Sequence, residues 1–159
     1  MGQKEIAIWL KGISIFIGIM GLVFFLWLMP KFAGDLRIMY EEVAFLYWPG
    51  MIYGWVIGIG CFAVLYQFWK VCNEIGKDNS FSKENAKSFK NISRITLILS
   101  VIWFAGLVYL VVNKWMGPPF MLIMIFAILI SIIISILAAT LSHLILKAYE
   151  MKQENELTI

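Results

Sequence analysis

Apolar positions run through this chain in four blocks free of Asp, Glu, Lys and Arg: residues 12–30, 43–69, 95–113 and 115–146. None of the blocks alternates apolar with polar residues, as a half-buried or barrel strand would. A helix crossing the hydrocarbon core needs roughly 20 apolar residues, and each block supplies about that many or more. Membrane spans are therefore predicted near residues 12–30, 50–70, 95–113 and 120–143. Pro118 and Pro119 should open the fourth, because proline is tolerated in a first helical turn and disrupts a helix interior. The pattern predicts one domain over 1–159, an all-α integral membrane protein. It is a four-transmembrane-helix bundle with an outer amphipathic segment (31–49), a cytoplasmic loop (71–94) and a cytoplasmic tail (144–159).

Composition agrees. Of the 159 residues, 62% are hydrophobic and 14% charged, and the mean hydropathy is +0.86. A soluble domain is about 45–50% apolar and about 25% charged, so a soluble enzyme is excluded. The net charge of +3 is too small to suggest a nucleic-acid partner, and placement matters more. Lys4, Lys11, Lys70, Lys77, Lys83, Lys87, Lys90, Arg94, Lys147 and Lys152 fall outside the spans or at a span end on one side; Lys31, Arg37 and Lys114 fall on the other. The positive-inside rule then puts both termini and the middle loop in the cytoplasm. Trp27, Trp48, Trp69 and Trp115 stand near span ends, where an aromatic belt belongs. The first span lacks a convincing signal-peptidase site, and Ile6 stands where a myristoylation motif needs Ser or Thr.

Between the spans, Phe32, Leu36, Val43 and Leu46 recur at helical spacing and predict a short amphipathic helix, supported by Arg37 and Glu41 at i and i+4. Asp35, Glu41 and Glu42 could ligate a cation or a cationic peptide; simple solvation of three loop carboxylates is the plainer reading. In the cytoplasmic loop, residues 76–80 read as a turn. Ser82 is the expected N-cap of the third helix, with Phe81 and Ala86 as a hydrophobic staple. That helix should begin one or two turns before the bilayer, its basic residues touching anionic lipid or a protein. Leu144, Ala148 and Met151 prolong the fourth helix, so the ends of helices three and four should extend into the cytoplasm as a hairpin, basic residues facing acidic ones.

Apart from Lys70 at the very end of the second, no predicted span contains Asp, Glu, Lys or Arg, which argues against a pump, an ion-coupled transporter or a voltage sensor. His143, the only histidine, is either a proton-sensitive switch or a hydrogen-bonding boundary residue. Cys61 and Cys72 are about three helical turns apart on one helix and cannot bridge each other. No nucleophile–base pair or ligand cluster stands out, so no enzyme activity, cofactor or metal site is expected. Gly50, Gly54 and Gly58 place a flat groove along span two; Ala127, Ser131, Ser135 and Ala139 do the same on span four. Such faces allow close backbone contact in lipid. They imply either packing of spans two and four on each other or a homodimer through the glycine face.

Two segments resemble a known family. Asn79-Ser80-Phe81-Ser82-Lys83-Glu84-Asn85-Ala86-Lys87 is similar to the loop motif of the bacterial membrane family catalogued as domain of unknown function 2975. The ending Glu150-Met151-Lys152-Gln153-Glu154-Asn155-Glu156-Leu157-Thr158-Ile159 is similar to its tail. Members are commonly encoded beside a Cro/cI-type helix-turn-helix protein. The resemblance thus implies a membrane-embedded regulatory protein that binds or sequesters a small transcription regulator and makes no direct contact with nucleic acid. Phe81 and Phe89 would be the apolar anchors of that surface, with Glu84, Asn85, Glu154 and Asn155 as polar partners. The alternative is an immunity protein against membrane-active peptides, acting through the outer loop and its lipid contacts.

Overall fold

The computed structural model describes residues 2–115 and 117–157, without the side chains of 156 and 157. Helix α1 (Gln3–Val23) passes through one π-helical turn (Phe24–Leu28) directly into α2 (Met29–Met39). The helix thus runs on past residue 30, where the first predicted span ended. Proline has no N–H to donate and its ring crowds the carbonyl four residues earlier, that of Leu26. That carbonyl lies in the widened π turn, which accommodates the proline without ending the helix.

The rod ends at Tyr40, whose backbone (φ −129°, ψ 83°) leaves the helical region. A 3-10 stretch (Glu41–Leu46) leads into α3 (Tyr47–Gly76). The outer segment is thus the end of one helix and a short 3-10 turn rather than one amphipathic helix. The Arg37–Glu41 pair does not form; the Arg37 guanidinium lies 5.5 Å from the centre of the Tyr47 ring instead. Then come α4 (Lys83–Val112) and α5 (Pro118–Leu157). Four helical rods, Gln3–Met39, Glu41–Gly76, Lys83–Val112 and Pro118–Asn155, are long and apolar enough to cross a membrane. The protein is an all-α multi-pass membrane protein.

Helices pack in chain order: α1 on α3, α3 on α4, and α4 on α5. Among the described residues neither α1 nor α3 approaches α5 closely. Spans two and four, one of the two pairings that their small residues implied, make no close backbone contact among the described residues. Each small-residue face instead serves the helix next to it in sequence.

Between the first rod and α3, glycine on one helix receives a large side chain from the other. A Cβ on Gly18 would lie 3.3 Å from Leu65, and one on Gly21 3.2 Å from the Phe62 ring. Further along the roles exchange, Gly58 facing the Phe25 ring at 3.1 Å and Gly54 facing the Met29 sulfur at 2.5 Å. Gly50 has nothing within 4 Å of the same position.

Between α3 and α4, Gly60 receives Leu99 and Gly106 receives the Tyr53 phenol. The Tyr53 hydroxyl donates to the Ile102 carbonyl at 2.9 Å. Hydroxyls join α4 to α5. Ser135 Oγ donates to the Ser93 carbonyl (2.8 Å) and lies 3.2 Å from Ser93 Oγ, while Ser142 Oγ donates to the Ala86 carbonyl (2.7 Å). Ser131 satisfies its hydroxyl on its own helix, at the Ala127 carbonyl. A polar group left unpaired in hydrocarbon is costly, so these bonds fix the α4–α5 register.

Candidate functional site

The start of α1, the α3–α4 loop and the end of α5 share one end of the molecule, and the loop motif there is bonded to itself. Glu74 closes α3: its carbonyl accepts from the Lys77 and Asn79 backbone N–H groups. Its carboxylate accepts from Lys77 Nζ at 2.7 Å and Asn79 Nδ2 at 3.0 Å. Those two donors, Lys77 first, hold the Glu74 carboxyl below the usual carboxylate range. Asp78 takes the left-handed conformation (φ 61°) that reverses the chain, a region where Asp is enriched. Ser80 Oγ donates to Gln3 Oε1 at 2.8 Å, tying the loop to the start of α1.

Ser82 caps α4 as expected, its Oγ accepting from the Asn85 backbone N–H at 3.1 Å. The Asn85 side chain in turn donates to the Ser80 carbonyl at 2.9 Å. Ser82 and Asn85 are each 1% exposed. The Asn85 Oδ1 has no hydrogen-bond partner.

Burial sorts the residues expected to bind a partner. Phe81 is 60% exposed on the loop, and Glu84 is exposed in the first turn of α4. Asn85 is interior, a correction to the sequence reading: its amide serves the loop's own backbone. Phe89 is also withdrawn. It is half-buried and lines an apolar groove of about 500 Å³ together with Ile17, Phe25, Phe62, Ile134 and Leu141, contributed by the first rod, α3 and α5.

Glu154 and Asn155 are exposed near the end of α5. Carried on from the Ser142–Ala86 bond, the antiparallel register brings Ile145 level with the start of α4. Glu154 then lies about 13 Å further along the axis. The tail's acidic residues therefore do not face the basic part of α4. Lys83, Lys87, Lys90 and Arg94 have no carboxylate partner among the described residues. Thr158 and Ile159, the end of the tail motif, lie outside the described residues.

One arrangement escaped the sequence reading. Lys83, Lys87, Lys90 and Arg94 are spaced four, three and four residues apart and so form a single basic ridge on α4. The inner part of that ridge borders a notch of about 390 Å³ between α4 and α5, with His143 on its other wall. The spacing was a usable signal; the notch was not visible without the α4–α5 register.

At the opposite end the 3-10 segment is held by aromatic contacts. Phe45 meets Trp115 edge-on at 4.9 Å between ring centres, and Trp115 meets Tyr109 at 5.7 Å. Asp35, Glu41 and Glu42 are all exposed. Among the described residues no three His, Cys, Asp or Glu side chains converge as a metal site would require.

Comparison with known proteins places this architecture. The chain is 30% identical over 154 residues to the "Uncharacterized membrane protein YoaS" of Bacillus subtilis (strain 168), covering 96% of each protein. No solved structure matches it. The model of the family described as "Protein of unknown function (DUF2975)" matches residues 31–159, from α2 through the last residue of the sequence, and the chain belongs to that family.

Proposed function

We propose that this is a membrane-embedded regulatory protein of the bacterial plasma membrane that binds and sequesters a small cytoplasmic helix-turn-helix regulator. The observation that carries the reading is the exposed Phe81 on a loop held by the hydrogen bonds of Ser80, Ser82 and Asn85. Buried aromatics dominate protein interfaces, and an anchor held rigidly before binding loses little entropy on docking. Exposed Glu84 stands beside it, and Glu154 and Asn155 on the α5 overhang would supply polar contacts at the rim. Asn85 and Phe89 take no direct part. The excess of Lys and Arg at this end supports its placement in the cytoplasm. The class of partner rests on the gene neighbour that the family resemblance implies. The regulator would carry the DNA contacts, and this chain would limit its access to them.

Membranes bearing the full chain should retain the regulator encoded beside it, and Phe81→Ala should weaken that retention by about thirtyfold, as loss of a hot-spot aromatic does. Truncation after Ala148 should weaken it too, with the helices still inserted. Equal retention by wild type and both variants would overturn the proposal.

A second reading, immunity to membrane-active peptides, is favoured by the exposed Phe32, Ile38, Met39, Tyr40 and Trp48 at the opposite end. On that reading, changes within residues 31–49 alter peptide sensitivity and Phe81→Ala does not.

A further inference from the structure

The notch between α4 and α5 is walled by basic residues from two helices. Lys90 and Arg94 line it from α4, His143 and Leu146 from α5, and Ser93 and Ser142 lie between them. The two hydroxyls are already engaged, Ser93 with Ser135 and Ser142 with the Ala86 carbonyl. That leaves the ammonium, the guanidinium and the imidazole as the groups able to receive a ligand. All three residues are exposed, and none pairs with a carboxylate among the described residues.

Position narrows the ligand. Lys90 and Arg94 immediately precede the charge-free block 95–113, and His143 comes near the end of the block 115–146. The notch therefore sits where hydrocarbon gives way to headgroups. Helical side chains lean toward the helix N-terminus, so Lys90 and Arg94 lean away from the apolar block and toward the polar layer. The ridge that carries them continues into the membrane as exposed Leu97, Ile98, Val101 and Phe104. A charged recess with an apolar ridge leading from it matches a molecule with an anionic head and a hydrocarbon tail. Guanidinium and ammonium groups together are the usual receptors for phosphate.

We propose that this notch binds the phosphate of an anionic phospholipid, its acyl chains lying along the exposed apolar ridge of α4. The site requires no protein partner and stands independently of the regulator reading.

The test uses the full chain, delipidated in an uncharged detergent. Dioleoyl phosphatidylglycerol, dioleoyl phosphatidylcholine and inorganic phosphate are added separately, with binding read by native mass spectrometry and by thermal melting. Phosphatidylglycerol should bind and raise the melting temperature, and phosphatidylcholine should do neither. Lys90→Gln with Arg94→Gln should weaken phosphatidylglycerol binding by about tenfold or more, since each basic group near a membrane surface contributes measurably. Lys90→Arg with Arg94→Lys should restore most of it, separating lost charge from lost folding.

The control is Lys11→Gln with Lys70→Gln. These cations, on α1 and α3, lie over the Trp69 and Tyr66 rings; neither helix approaches α5 closely among the described residues, and their loss should leave binding unchanged. An equal loss in the control pair, or equal binding of the two lipids, would overturn the site. Displacement of the lipid by millimolar inorganic phosphate would overturn the lipid assignment and make the ligand free phosphate.

Discussion

Asn85 shows how a polar residue in a family motif can work inward. Its side chain donates to the Ser80 carbonyl, its backbone N–H binds the Ser82 cap, and it is 1% exposed. Asn85→Ala should therefore lower stability by about 1–3 kcal/mol, the range for a buried group that loses its partner. Ser82→Ala should cost about 1 kcal/mol through the lost cap. Thermal melting in detergent checks both. An Asn85→Ala protein that melts like wild type yet releases a bound regulator would return Asn85 to the binding surface. The cap was legible in the sequence because capping is local, a serine three residues before the N–H it accepts. The burial of Asn85 was not, since it depends on α1, α3 and the loop closing over it together.

At the level of whole helices, the interfaces differ in how much they can yield. Leu99, opposite Gly60, is branched and buried, whereas the Met29 side chain opposite Gly54 ends in a flexible thioether. Gly60→Leu should therefore destabilise the protein by about 1–3 kcal/mol, as overpacking does, and Gly54→Leu by clearly less. Equal melting shifts for the two variants would show that the α3–α4 contact yields as readily as the α1–α3 contact. The four-residue spacing of Gly54 and Gly58 announced a close helix approach, but it could not say which helix approaches. Gly18 and Gly21, three apart, and the lone Gly60 and Gly106 gave no comparable sign. Short connections favour packing of sequence neighbours, and that preference prevails at all three interfaces.

For the molecule as a whole, four spans bring the start of α1 and the end of α5 to one end, and the excess of basic residues there predicts that it faces the cytoplasm. Reporter fusions at Lys77 and after Ile159 should both give cytoplasmic signals; an outside signal from either would overturn the orientation. The sequence by itself determined the class of protein, the number of crossings and the charge asymmetry. Each depends on the transfer of single residues between water and hydrocarbon, which is a property of the residue and its immediate run.

Only the tertiary structure decided that α3 meets the first rod and α4 rather than α5, that Phe89 turns into a groove, and that the basic ridge borders a notch. In water, an apolar stripe marks the face that packs. In a bilayer the lipid is as apolar as a neighbouring helix, so the contacting and lipid-facing sides look alike in hydropathy. The choice is made by shape and hydrogen bonding: a glycine opposite a phenyl ring, a serine opposite a carbonyl.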